Sequence, residues 1–189
     1  KISKERDFMY RREIILDRGI LYFYINGELI KSFPATTGLP GVTDPNIANQ
    51  GPIPPGWYIL KPNEINDYDY EYTLKDPSSF YIKAGLLSRY GAYLYKENRY
   101  RNLNQKGDWG HYNVELHKLK LKYNVPAQQQ RFGFFIHGGI REGSAGCIDV
   151  DGNERDFFQL IIKTNKYDGT DDILVEVTDT PNRLGWENM

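Results

Sequence analysis

The chain is short of several things that would otherwise carry a fold or a function. Its 189 residues include a single cysteine, Cys147. No internal disulfide can form, so the fold must rest on its apolar core. Acidic and basic side chains nearly cancel, 25 against 24, for a formal net charge of −1. That balance gives no bulk attraction to nucleic acid, whose binding needs a cationic surface. No apolar run approaches the roughly 20 residues that cross a bilayer as a helix, and no signal peptide is visible. The chain starts at Lys1, which leads to the expectation that a leader or upstream segment has been removed.

What is present is a globular composition. Hydrophobic residues make up 40% and charged residues 26%, enough apolar material for a full core in one domain spanning 1–189. Fifteen Tyr, nine Phe and three Trp favour strands and can line carbohydrate or peptide grooves.

Alternation and turn residues place the strands. Ile20 to Ile25 is a strand that runs into Asn26-Gly27, and Leu29, Ile30 and Phe33 follow on a second. Asn-Gly supplies the two positive-φ positions of a tight type I′ hairpin turn. Ile14 to Leu16 extends this unit. Residues 34–56 are dense in Pro and Gly and form a structured loop leading into a strand at Trp57–Leu60. Short β-like pieces follow at 80–82 and 93–95. Tyr112 to Leu121 alternates apolar and polar residues with one slip of register near 117–118, and Phe132 to Ile136 reads as a buried strand. Phe157, Leu160, Ile161 and Thr164 share one face of a helix, with Asp151 three before Glu154 as an N-cap arrangement. Ile173 to Val177 closes the domain. The class is mainly β with one or two helices.

The segment from Phe134 to Asp149 carries the chemistry. His137 stands at the end of a buried strand before Gly138 and Gly139, and ten residues later Cys147 follows Gly146. A thiol is a weak nucleophile until an imidazole takes its proton. A glycine-rich return loop can bring the two together. With no side chain at Gly146, the backbone N–H groups of Gly146 and Cys147 can face the oxygen of an attacked carbonyl as an oxyanion hole. Either residue alone reads as core packing, Cys147 as a small hydrophobe and His137 as a satisfied strand residue.

Ile136-His137-Gly138 followed by Ser144-Ala145-Gly146-Cys147-Ile148 resembles the active-site signature of the L,D-transpeptidase catalytic domain, the YkuD-like family. Thr36-Thr37-Gly38, the Gly51-to-Tyr58 segment and Trp109-Gly110 are similar to further parts of that family, so the resemblance covers about 14–178. It implies an L,D-transpeptidase-like β-sandwich with Cys147 as nucleophile and His137 as base. Ser144 would buttress the loop. Gly138, Gly139, Arg141, Trp109 and Tyr112 would contact substrate. Three departures stand out: Ala145 where most members have a second His, Asp149 where many have Arg, and a short loop between His137 and Cys147. All three resemble a branch of type VI secretion effectors that trim or exchange D-alanine on tetrapeptide stems. Arg141 is the nearest cationic replacement for the missing Arg.

The resemblance thus implies a cysteine acyl-transfer enzyme acting on peptidoglycan stem peptides, as L,D-carboxypeptidase or L,D-transpeptidase. An immunity protein is an implied partner if it is a toxin. A secreted or periplasmic location and a monomer are expected, with no cofactor and no metal. The alternative is a non-catalytic wall-binding or effector-scaffold domain that keeps the fold. Ser144 fails as a hydrolase nucleophile, because its elbow would need Gly at position 142 and Glu142 is there. No His-Glu-x-x-His is present. His111 and His117 are read as surface histidines, Lys118, Lys120 and Lys122 as a solvated strand edge, and residues 67–72 as an exposed acidic loop.

Overall fold

The computed structural model describes residues 10–67, 112–138, 143–167 and 169–189. The expected pieces at 80–82 and 93–95, nearly all of the acidic loop at 67–72, and Trp109, His111, Gly139 and Arg141 lie outside the described residues. Among the described residues there are ten strands: β1 (Arg12–Asp17), β2 (Ile20–Ile25), β3 (Glu28–Pro34), β4 (Thr36–Thr37), β5 (Gly56–Leu60), β6 (Asn66–Asp67), β7 (Tyr112–Leu121), β8 (Phe134–His137), β9 (Ile148–Asp149) and β10 (Ile173–Val177). One α-helix, α1 (Glu154–Lys163), accompanies them.

The strands bond in the order β3-β2-β1-β10-β5-β7-β8-β9-β4, with β6 on β7. The two ends of that order, β3 and β4, are separated along the chain by Ala35 alone. The sheet therefore curls until its edges nearly meet. The mainly β class holds, and the strands form one nearly closed sheet around a single core cluster running from Ile14 to Val177.

Local chemistry accounts for the hairpins. Asn26 and Gly27 take φ of 50° and 81°, the mirror-image turn that matches strand twist. Arg18 and Gly19 do the same between β1 and β2, with φ of 47° and 79°. Period-2 burial then sends Ile14 and Leu16 of β1, Tyr58 and Leu60 of β5, and Ile173, Val175 and Val177 of β10 into the core.

One local expectation is met and sharpened, and two change. The slip in β7 is a bulge: Trp57 pairs with Lys120 and Tyr58 with Lys118, which turns the intervening Leu119 out to solvent. At β8 the buried run is Phe134–His137, whereas Phe132 is 88% exposed ahead of Gly133, whose φ of 77° breaks the strand. At α1 the Asp151 cap does not form. Residues Asp151–Asn153 make a 3-10 turn, and Asn153 precedes the helix without a side-chain cap bond. The Glu154 carboxylate is instead engaged with the amide of Tyr112 (3.4 Å). The helix is held by packing. Phe157 meets Phe33 edge-on at 5.4 Å and Phe158 stacks on Tyr112 at 5.4 Å.

Candidate functional site

The site grows from two parallel strands. β8 and β9 pair Ile136 with Ile148 and His137 with Asp149. Residues in register share a face of a sheet. Phe134, Ile136 and Ile148 belong to the main core cluster, whereas Phe135, His137, Cys147 and Asp149 are buried outside it. Cys147 immediately precedes β9, and a backbone hydrogen bond from Phe135 reaches its sulfur, which puts the thiol two residues from His137 along the facing strand.

The turn into β9 is built by hydrogen bonds and by one glycine. The Ser144 hydroxyl donates to the Cys147 carbonyl (2.6 Å), and the Ser144 amide donates to the Gly38 carbonyl (3.1 Å). The Thr37 hydroxyl donates to the Gly146 carbonyl (3.2 Å) and accepts from the Ile53 amide (2.8 Å). Asn182 clasps Thr37 through both its amide and its carbonyl, each at 2.8 Å. Gly146 has φ of 114°, a conformation L side chains rarely adopt, and a Cβ there would run into the Arg131 guanidinium.

A cavity of about 370 Å³ opens beside the sulfur. Its walls include Asn49, Arg131, Phe132, Phe134, Ala145 and Cys147. Cys147 is only 5% exposed, so this cavity is its described contact with the exterior.

His137 Nδ1 lies 2.6 Å from the Gly138 carbonyl oxygen. A carbonyl can only accept, so Nδ1 carries the proton and Nε2 is the basic nitrogen. Burial pushes the imidazole down to about 4, opposed by that carbonyl. Burial likewise pushes the Cys147 thiol up to about 12. A backbone hydrogen bond from Phe135 and the charge of Arg131 oppose this shift, and Asp149 adds to it. The resting pair is therefore a neutral thiol and a neutral imidazole, and burial sets both against the charged forms that proton transfer between them would create.

Of the residues singled out in the sequence, Cys147, His137, Gly138, Ser144 and Gly146 come together here. A Cβ at Gly138 would strike the Glu154 carboxylate, so α1 reaches the rim of the site. Tyr112 borders the site through its backbone, whose carbonyl accepts from the Gly138 amide (3.4 Å), but its side chain is 2% exposed, stacked on Phe158, and accepts a long hydrogen bond from Gln159 (3.4 Å). Its place is the core behind α1. Arg131 and Glu154 were missed. Arg131 sits in a Gln-rich polar loop and Glu154 in the first turn of a helix, and no periodicity marks either as facing a thiol.

His117, expected at the surface, is half-buried, and its Nε2 lies 2.6 Å from Glu64 Oε2. Together with Glu115, these side chains bring one potential ligand atom each within 4.8 Å, so the three could hold a cation. Among the described residues β8 pairs with only residues 113–116 of β7, which leaves that flank of 117–121, including the exposed Lys118, without a strand partner there. No helix among the described residues is long and apolar enough to cross a membrane.

No protein-family model matches the chain, and no match was found among curated proteins. Solved structures similar to it include L,D-transpeptidase 1 of Mycobacterium tuberculosis, at 15% identity and a TM-score of 0.42, over 89% of this chain and 62% of that one. An L,D-transpeptidase from Mycobacterium smegmatis matches at 14% and 0.39, over 88% and 59%. Another from Xylanimonas cellulosilytica matches at 10% and 0.41, over 89% and 60%. The chain thus spans about three fifths of the length of the structures it is similar to.

Proposed function

We propose that the protein is a cysteine acyl-transfer enzyme acting on peptidoglycan stem peptides, with Cys147 as nucleophile and His137 as base. The observation that carries this reading is the pairing of β8 with β9, which brings a tautomer-fixed imidazole on β8 next to the turn carrying the chain's one thiol, with Cys147 lining a cavity. The signature running from Ile136 to Ile148 supplies the substrate class.

In this reading His137 Nε2 takes the Cys147 proton as the sulfur attacks the carbonyl on the L-centre of a diaminopimelate residue. The oxyanion is held by the amides of Gly146 and Cys147. The tetrahedral intermediate then collapses. The C–N bond to D-Ala breaks, and the imidazolium returns the proton to the leaving amine. A thioester remains, resolved by water as an L,D-carboxypeptidase or by an amine as an L,D-transpeptidase. Gly139, Arg141 and Trp109 stay in the reading as substrate contacts, and Ser144 as the brace of the loop. An antibacterial effector role in the periplasm of a target cell, a monomeric state and an immunity partner belong to the same proposal.

Purified muropeptides incubated with the protein are expected to lose D-Ala or gain a supplied D-amino acid by mass spectrometry. An unchanged profile with folded, reduced protein would overturn the enzyme. It would favour a wall-binding domain, for which the deep burial of both Cys147 and His137 speaks.

A further inference from the structure

Arg131 occupies an unusual position for a cation. Its Nη1 donates to the carbonyls of Pro45 (2.6 Å), Gly51 (3.2 Å) and Pro52 (2.9 Å), and its Nη2 to that of Ala145 (3.0 Å). These four acceptors lie in two loops distant along the chain. The first is the Pro/Gly-rich loop before β5; the second is the turn that delivers Cys147. The guanidinium also sits over the Phe134 ring at 5.1 Å. Every acceptor is a neutral carbonyl. Among the described residues no carboxylate forms a salt bridge with Arg131; Asp44 acts on it electrostatically without an ion-pair contact, and the guanidinium lines the cavity it shares with Cys147. Gly146 is the companion feature, because any Cβ there would displace Arg131.

The charges around the sulfur give this cation a purpose. Asp149 stands two residues after Cys147 and disfavours a thiolate, where the resembled signature often carries Arg. Arg131 favours the thiolate, and Cys147 heads the charged and titratable groups that act on Arg131, ahead of Tyr58 and Asp44. His137 is the remaining titratable group on the shared face.

We propose that Arg131 is a positioning residue for Cys147. Its guanidinium ties the Cys147 turn to the loop at 45–52 and sets a fixed positive charge beside the thiolate as it forms. This deepens the acyl-transfer reading, yet it concerns the ionisation of a thiol and can be tested without turnover.

The test is the rate of Cys147 alkylation by iodoacetamide from pH 6 to 10, with Cys147→Ala as the blank. Fold is checked by near-ultraviolet circular dichroism. Below its midpoint the rate follows the thiolate fraction, so one pH unit corresponds to tenfold in rate. In Arg131→Gln, which keeps two potential donors and loses the charge, the rate at pH 8 is expected to fall at least tenfold, with the rate–pH curve displaced to higher pH. A folded Gln variant with an unchanged curve would overturn the proposal. Should that variant not fold, Arg131→Lys decides. It keeps the charge but cannot span four carbonyls, so the curve is expected to stay within half a unit while the melting temperature falls. A Lys variant displaced by a full unit or more, or one identical to the parent in both curve and melting temperature, would overturn it. Loss of muropeptide activity with normal alkylation would count against the enzyme reading alone.

Discussion

Two arginines, the buried Arg12 and the half-buried Arg131, solve the same problem in opposite ways. Arg12 on β1 is 2% exposed and donates to the Ile161 carbonyl (2.8 Å), Thr164 Oγ1 (3.0 Å), Asn165 Oδ1 (2.9 Å) and the Asp171 carbonyl (3.1 Å). It also forms an ion pair with Asp171 at 2.6 Å, with both side chains nearly excluded from water. Its charge is cancelled, and it favours the C-terminal end of α1, where carbonyls lack helical partners. Arg131 collects carbonyls in the same manner but has no carboxylate in an ion pair among the described residues, and Cys147 heads the titratable groups that act on it. A cation with an acid partner serves the fold. A cation without one is available to stabilise charge that develops during a reaction.

The sharpest break in this comparison falls on the Arg131 side. Cys147→Ala is expected to lower muropeptide turnover at least ~10³-fold while leaving the melting temperature within a few degrees, measured by mass spectrometry and calorimetry. Retained turnover would remove the nucleophile from the site. The matching break on the structural side is Arg12→Met. It leaves Asp171 buried without its ion-pair partner and is expected to cost about 3–5 kcal/mol in urea unfolding. Activity should follow the folded fraction only. A loss under about 1 kcal/mol would mean that Arg12 and Asp171 do not act as a buried pair.

His137 gives the next effect. Its folded value, about 4, lies below the ordinary 6.5, so the unfolded chain binds the proton more readily between those values. Stability from this group is complete above pH 6.5 and is lost as pH falls toward 4, by roughly 3 kcal/mol. His137→Gln should flatten this acid limb, and an unchanged limb would place the pH dependence elsewhere. The smallest effect is expected from Asp149→Asn. Removing the negative charge that raises the Cys147 thiol should speed alkylation at pH 8 by about three- to tenfold, the opposite sign to Arg131→Gln. A slower reaction would show that Asp149 acts on Cys147 through packing.

The strands of this fold were legible because their signals are local. Asn26-Gly27 names its own turn, and the alternation around Ile14, Tyr58 and Val175 names its own inner face. The slip near 117–118 was legible, but that it turns Leu119 out to solvent was not, because bulges depend on the partner strand. Asp151 was misread as a cap because the Glu154 carboxylate is engaged across space with β7. At the site, the Ile136-to-Ile148 run was visible as a motif. Arg12 and Arg131 were not, since each lies in a polar stretch that by itself reads as solvated.

The sequence alone determined the mainly β class and the turn of the first hairpin, and it marked His137 and Cys147 as the candidates for chemistry, because each follows from a chain-local period, turn signal or motif. The tertiary structure decided which side chains surround them. It parked Tyr112 in the core and brought Arg131 across to the turn at Ala145, some fourteen residues away along the chain. It also buried the thiol and the imidazole deeply enough to keep both neutral. Charge compensation and desolvation depend on distances between segments remote in the chain, and those distances exist only once the sheet has curled and closed.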